Sequence, residues 1–269
     1  MRTNENNRTF VIPVVNRKGG VAKTTTAEEV AYILATSCEK RVLLIDADSQ
    51  ANATWQIVGK RLQRGGLADL LRKPVTNYRD TVLRTDVPRM DIIPASRDLG
   101  HLDLEILVGR FKADFHVLQR VCADIKANGD YDFVIIDCPP YYSLSCVNAI
   151  GAGDGVIIPT NTDNNSVMGV NEVIDEIDSL QDICPNAKVL GVLVTGWQRS
   201  PIDEDALEHL RYECEAPVFR TVIRRSAECV RGASWEQEPI QVNHPFCNAA
   251  RDYRKFVGEL LRMLEVPYV

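Results

Sequence analysis

Two lysines and two adjacent glycines stand close together near the start of the chain. The segment Asn16–Thr26 reads NRKGGVAKTTT, so that Lys18 precedes the glycine pair and Lys23 follows it. A loop with few bulky side chains can turn several backbone N–H groups toward one point, and lysines add positive charge there. The pattern predicts a cradle for the phosphates of a nucleotide.

The loop departs from the ordinary P-loop pattern, G-x-x-x-x-G-K-[ST], at both glycine positions. Arg17 and Ala22 stand where counting back from Lys23 places those glycines. Ala22 then either has helix-compatible backbone angles or belongs to a slightly altered loop. A Gly-Gly turn near lysines also arises by chance, so the flanking sequence has to distinguish the two interpretations.

The flanking segments predict a strand before the loop and a helix after it. Phe10–Val15 has the composition of a buried strand, although Pro13 lacks a backbone donor and is unfavourable in a central strand. Apolar residues recur at helical spacing over Thr24–Thr36. A strand, a glycine-containing loop and a helix in this order favour the phosphate-binding interpretation.

Aspartates end two further apolar segments. The strand that starts at Arg41 delivers Asp46 and Asp48, and Tyr131–Asp137 ends in an acid shortly before a double proline. Ligands bind at the carboxyl ends of strands in open α/β sheets, so we expect these carboxylates beside the loop. Capping of the following helix is the alternative role for such aspartates. The order and separation of the three segments favour a nucleotide site.

The three segments together resemble the deviant Walker A ATPases of the ParA/MinD family, and the small ParA (Soj-type) branch fits best. The resemblance runs from about Thr9 to about Leu264. It implies an α/β fold with a mostly parallel twisted sheet flanked by helices on both faces, as a single domain over residues 1–269. Ala22 and Ser49 stand where the family usually has glycine and proline.

The family resemblance also implies how the cofactors ATP and Mg²⁺ are held. The backbone and side chains of the loop surround the phosphates through Gly19, Gly20, Val21, Ala22, Lys23, Thr24 and Thr25. The Mg²⁺ region is formed by Thr24, Asp46 and Asp137.

The family resemblance also implies catalytic roles for Lys18, Lys23 and Asp48. Asp48 orients the attacking water, and Lys18 reaches the nucleotide of the partner subunit. The expected enzyme is therefore an ATPase that forms an ATP-sandwich homodimer and hydrolyses ATP to ADP and phosphate slowly, with stimulation by a partner.

The implied partners are a ParB-type adaptor and nonspecific DNA, with plasmid, chromosome or mobile-element DNA as the cargo. Net charge is −6 and the isoelectric point about 5.4, so DNA contact has to come from a local basic patch. We expect that patch at Arg199, Arg224, Arg225 and Arg231. Glu228 occupies the position at which the small ParA pattern has an arginine for DNA.

Composition and charge patterning argue against membrane attachment. No apolar run is long enough to span a bilayer, and the apolar stripe of Arg254–Leu264 fits docking onto the core better than lipid binding. The polar stretch Met1–Arg8 leaves no room for a helix-turn-helix extension and has no secretory core. We expect a cytoplasmic protein without a membrane partner.

The eight cysteines are scattered, so the sequence predicts core or surface thiols. Cys138 and Cys146 lie where related nitrogenase iron proteins have a cluster ligand, but the second ligand segment has no counterpart.

The sequence is also compatible with three different functions: a MinD-like or other ParA-type positioning or assembly regulator independent of DNA, a metabolic or electron-transfer enzyme of the superfamily, and a regulator that does not hydrolyse ATP. Turnover with and without DNA and partner separates the last of these from a switch.

Overall fold

The computed structural model describes residues 8–73, 77–163 and 166–267. Most of the polar amino-terminal stretch, on which the helix-turn-helix expectation rests, lies outside the described residues. Strands in these ranges form one sheet in the order β3-β4-β2-β5-β1-β6-β7, with bounds β1 Phe10–Val14, β2 Val42–Asp46, β3 Leu83–Arg84, β4 Met90–Ile93, β5 Phe133–Asp137, β6 Val156–Thr160 and β7 Val189–Val194. All pairings are parallel except β3 with β4.

Helices connect the strands and cover the sheet. Their bounds are α1 Lys23–Thr36, α2 Asn52–Val58, α3 Leu67–Arg72, α4 Asp98–Leu107, α5 Val117–Asn128, α6 Leu144–Ala152, α7 Ser166–Ser179, α8 Pro201–Glu213, α9 Ala227–Glu236, α10 Ile240–Asn243 and α11 Asn248–Met263. None of the helices in the described ranges is both long and apolar enough to cross a bilayer.

Successive side chains along each strand point to opposite faces of the sheet, and each face carries an apolar core. Val11 faces the core formed with α3 to α8, whereas Ile12 faces the core formed with α1 and α9 to α11. The strands are apolar on both sides because helices cover both faces. This confirms the predicted α/β class with helices on both faces.

Pro13 lies in β1, between β5 and β6, and is accommodated there without loss of a ladder bond. On the β6 side, Val11 N donates to the Asp154 carboxylate at 2.8 Å and Val15 N donates to Ile157 O at 3.0 Å. Regular pairing of β1 with β6 occurs only at Val14. Pro13, which has no N–H, therefore lies between the hydrogen bond from Val11 N to Asp154 and the hydrogen bond from Val15 N to Ile157 O.

The strands and helices around the loop lie within a few residues of the predicted segments. The apolar stripe of the last helix is buried against the core, as predicted, through Phe256 and Leu260 among others. Strand β3 has no clear sequence signal because it is a two-residue antiparallel edge. The closing region around Val218 and Arg224 makes isolated bridges, to Val192 and Trp197.

Candidate nucleotide-binding site

The loop between β1 and α1 is anchored to the ends of the neighbouring strands. Asn16 Oδ1 accepts a hydrogen bond from Lys18 N at 2.9 Å, while its Nδ2 donates to Pro159 O in β6 at 2.7 Å. The Thr195 hydroxyl, just after β7, donates to Val21 O at 3.1 Å. These contacts fix the loop at the carboxyl edge of the sheet, where α/β folds bind ligands.

Ala22 has left-handed backbone angles, φ 61° and ψ 36°, and α1 begins at the next residue. Gly20 also has a positive φ, of 75°. A left-handed conformation costs a residue with a Cβ roughly 1–2 kcal/mol, whereas glycine adopts it freely. Ala22 is therefore not helix-compatible, and it occupies a position at which glycine is the unstrained residue.

The two lysines of the loop point to different environments. Lys23 is buried and its Nζ donates to Lys18 O at 3.0 Å. Burial lowers the pKa of Lys23, and the nearby Asp137 and Asp48 partly oppose that shift. The Lys18 ammonium instead forms an ion pair with Asp163, in which the two side chains are 42% and 45% exposed. Lys23 thus faces into the site, and Lys18 faces outward.

Asp46 is buried at the end of β2 and is satisfied by protein donors. Its Oδ2 accepts from both the N–H and the hydroxyl of Thr54 at 2.7 Å, and its Oδ1 accepts from Asp48 N at 3.2 Å. Burial raises the pKa of Asp46 to about 6, and the bonds from Thr54 and Asp48 limit the rise. Asp46 therefore holds the start of α2 and the loop that precedes it.

Asp137, at the end of β5, is fully buried, and neither carboxylate oxygen has a hydrogen-bond partner of normal geometry. Burial and the neighbouring Asp46 raise its pKa, while the Thr24 hydroxyl and Lys23 act in the opposite direction. An unpaired buried carboxylate is costly unless a cation joins it. Oxygen ligands from carboxylates and hydroxyls suit Mg²⁺, so Asp137 and Thr24 fit a magnesium site.

Asp48 is buried on the loop after β2 and holds a turn with one oxygen. Its Oδ1 accepts from Gln50 N at 2.9 Å, and its carbonyl accepts from Ala51 N at 2.8 Å. This turn is compatible with the alternative capping role, although the N-cap of α2 itself is Ala51. The second carboxylate oxygen of Asp48 is not used in the turn. The Ser49 hydroxyl lies 3.2 Å from the Tyr141 hydroxyl, which joins the loops that follow β2 and β5.

The structure brings the residues predicted for nucleotide, metal and catalysis together at one edge of the sheet. Asn16 and Thr195, which anchor the loop, were not predicted. For Asn16 the available signal was its place at the end of β1, immediately before the loop, because a polar side chain there can cap the turn. Thr195 has no local signal, since its contact with Val21 joins distant parts of the chain.

The predicted DNA-contacting arginines fall into two groups. Arg224 makes a bidentate ion pair with the buried Asp252, at 2.7 and 2.8 Å, which ties the segment before α9 to α11. Arg199, Arg225 and Arg231 are exposed and have no ion-pair partner among the described residues. Arg225 N donates to Trp197 O at 2.9 Å, which places Arg225 close to the segment of Arg199. Arg224 is thus committed to a structural pair.

Comparisons with known proteins show which proteins this chain resembles. The family model of the AAA domain matches residues 9–189. The chromosome partitioning protein ParA of Caulobacter vibrioides (strain NA1000 / CB15N) is 31% identical, with 93% of each chain covered. The sporulation initiation inhibitor protein Soj of Bacillus subtilis (strain 168) is 30% identical, covering 93% of this chain and 97% of Soj.

A solved structure gives the same picture at the level of the fold. Cobyrinic acid a,c-diamide synthase from Mycobacterium smegmatis, crystallised with bound ADP and magnesium, superposes with a TM-score of 0.78 at 30% identity. The superposition covers 96% of each chain.

Proposed function

This chain belongs to the ParA family of P-loop ATPases, and from that premise we propose that it is an ATP-dependent dimer switch that partitions DNA together with a ParB-type adaptor. ATP with Mg²⁺ assembles the dimer, the dimer binds DNA without regard to sequence, and hydrolysis stimulated by the adaptor releases it. The cofactors proposed for this chain are those of the solved relative, an adenine nucleotide and magnesium.

The unpaired Asp137 carboxylate beside Thr24 and Lys23 is the observation that carries the proposal. Buried polar groups are nearly always paired, so a buried acid without a donor of normal geometry favours a bound ligand, and here the phosphate loop lies directly alongside. Lys23 and the amides of Gly19 to Thr25 hold the phosphates, whereas Thr24 and Asp137 hold Mg²⁺. Bound Mg²⁺ supplies charge neutralisation at the phosphates.

Asp48 and Lys18 complete the proposed switch. Asp48 has one oxygen outside its turn, and it orients the water that attacks the γ-phosphate. Lys18 leaves Asp163 and reaches the nucleotide of a second copy, where it neutralises charge as an arginine finger does. Because the Lys18–Asp163 pair is exposed, it is worth about 1 kcal/mol or less, so a partner phosphate displaces it readily.

The proposed DNA surface consists of Arg199, Arg225 and Arg231, which we call the arginine patch. Because the chain has a net charge of −6, DNA has to be attracted by the local positive charge of the arginine patch. A dimer presents two such patches, whereas a single subunit presents one. Arg224 lies beside the patch but stabilises the fold through Asp252. Phosphate contacts of this kind carry no sequence information.

Glu228 favours a second candidate function. It is exposed in the first turn of α9, between Arg225 and Arg231, and places negative charge within the arginine patch. If that charge prevents DNA binding, the same ATP switch serves as a MinD-like or other ParA-type positioning or assembly regulator that does not depend on DNA.

Retention of the protein on DNA separates the two candidates. The wild-type protein with ATP and Mg²⁺ should bind unrelated duplexes equally, and the affinity should fall steeply with salt because counterions are released. Arg225→Glu with Arg231→Glu should abolish retention while ATP-dependent dimerisation persists. Arg110→Glu, after α4 on the opposite face of the sheet, is the matched control. An ATP dimer with no retention at low salt contradicts the DNA function and favours the assembly regulator.

A further inference from the structure

Two partly exposed cysteines lie next to each other at the starts of α9 and α11. Cys229 is the third residue of α9, and Cys247 is the N-cap of α11, where its Sγ accepts from Ala250 N at 3.4 Å. The Ser226 hydroxyl, at the N-cap of α9, accepts from Ala249 N at 3.2 Å and holds the two helix starts together. Burial and the nearby Cys247 thiol raise the pKa of Cys229.

This pair differs from the other thiols of the described residues. Cys38, Cys122, Cys138, Cys146 and Cys184 are buried, whereas Cys229, Cys247 and Cys214 are partly exposed. Cys214, at the end of α8, does not share its surroundings with another thiol. No third histidine, cysteine or acidic residue of the described chain joins the pair in a group suited to a metal ion.

We propose that Cys229 and Cys247 form a reversible intramolecular disulfide, and that this dithiol is a modification site of the protein. The oxidant is a small-molecule disulfide. A disulfide needs an S–S distance of about 2.05 Å, and the hydrogen bond from Ala249 N to the Ser226 hydroxyl already holds together the two helix starts that carry these thiols.

The reaction proceeds by two thiol–disulfide exchanges. The thiolate of one cysteine attacks a sulfur of the small disulfide, so that a mixed disulfide forms and the first small thiol leaves with a proton. The second cysteine, as its thiolate, then attacks the protein sulfur of the mixed disulfide and expels the second small thiol. Two protein thiols are oxidised, the small disulfide is reduced to two thiols, and no other reactant is consumed.

The disulfide closes a loop that contains most of α9 and all of α10. Helix α9 is weakly anchored, because Ala233 is its one buried residue. A covalent link to α11, which is firmly packed, restricts local opening of this loop. Arg231 lies two residues after Cys229, so the modification also changes the freedom of the arginine patch; this consequence alone rests on the proposed function.

Mass spectrometry of the full-length protein tests the site directly. The reduced protein is exposed to oxidised glutathione at several protein concentrations, alkylated and digested with trypsin. Trypsin cleaves after Arg225, Arg231 and Arg251, so Cys229 and Cys247 fall in separate peptides, each with no other cysteine. A linked pair of the peptides 226–231 and 232–251 is expected at every protein concentration, and dithiothreitol should release it.

Serine variants supply the controls. Cys229→Ser and Cys247→Ser should each abolish the linked pair, and serine at position 247 keeps an N-cap so that α11 still starts normally. Cys214→Ser should form the link as the wild-type protein does. Hydrogen exchange over residues 232–246 should slow at least about tenfold on oxidation in the wild type and remain unchanged in Cys229→Ser.

Three results overturn the proposal: separate glutathione adducts on Cys229 and Cys247 with no linked pair, a link whose yield rises with protein concentration and therefore joins two copies, or persistence of both free thiols. None of these measurements involves ATP or DNA. Failure of the dithiol site is therefore distinguishable from failure of the proposed switch.

Discussion

Asp46 and Asp137 are register partners at the carboxyl ends of the adjacent parallel strands β2 and β5, but only Asp46 has hydrogen-bond donors of normal geometry among the described residues. Thr54 satisfies Asp46 with its N–H and its hydroxyl. Asp137 has no donor of this kind, which fits its proposed role toward Mg²⁺. The two acids therefore have different tasks, which substitutions can separate.

Asp137→Asn should abolish Mg²⁺-dependent ATP hydrolysis while the stability of the nucleotide-free protein stays equal or increases, because a buried acid without a donor of normal geometry is removed. Asp46→Asn is the matched control. Its amide nitrogen has to face a donor, either at Thr54 or at Asp48, and this should cost about 1–3 kcal/mol of stability. Hydrolysis rates and urea unfolding measure both effects. Wild-type hydrolysis by Asp137→Asn contradicts the magnesium assignment.

Asp48→Asn should prolong the life of the ATP dimer, because the amide still accepts from Gln50 N but lacks the carboxylate charge that orients water. Asp48→Ala should prolong it equally and, in addition, loosen the turn. Dimer decay after removal of free ATP is the measurement. If Asp48→Asn turns over at the wild-type rate and Asp48→Ala is merely less stable, the residue has only a capping role.

Ala22→Gly should raise the free energy of unfolding by about 1 kcal/mol, because glycine relieves the left-handed strain at this position. Ala123→Gly, at an exposed site inside α5, should lower it by about the same amount. Chemical denaturation of both variants decides the matter. Equal destabilisation by the two substitutions is incompatible with the conformation described for Ala22.

Glu29 gives a pH-dependent prediction that does not involve the nucleotide. It is buried in α1, where it accepts from Ile240 N at 2.6 Å and Gln241 Nε2 at 3.0 Å, and burial raises its pKa from 4.5 to about 7. Because the folded state holds this proton more tightly than the unfolded state does, the Glu29 contribution is most favourable below pH 4.5. It is lost as the pH rises to 7, by about 3 kcal/mol.

The change in melting temperature on Glu29→Gln should therefore be more favourable at pH 8 than at pH 5, since the amide never ionises, whereas the amide nitrogen faces a donor at either pH. Glu208→Gln, at an exposed site on α8, should change it equally little at both pH values. Thermal unfolding of the three proteins at the two pH values provides the comparison. A melting-temperature change for Glu29→Gln that is independent of pH shows that burial of Glu29 does not raise its pKa.

The strand ends and the loop were predictable because their signals are local: an apolar run, then glycines or acids, in an order that only a few folds share. The anchoring contacts of Asn16 and Thr195 were not, since each joins residues that are far apart in the sequence. Arg224 shows the same limit. Its charge predicts a phosphate contact, but α11 brings Asp252 against it, and tertiary pairing rather than charge determines its role.

In the proposed switch, ATP joins two copies of this chain through Lys18, and light scattering with ATP or ADP in the presence of Mg²⁺ measures this association. The wild type should be a dimer with ATP and a monomer with ADP. Lys18→Ala should stay monomeric with ATP while still binding it, and Asp163→Asn, which frees Lys18, should dimerise at least as well as the wild type. Normal ATP-dependent dimerisation of Lys18→Ala would show that Lys18 does not join the two copies.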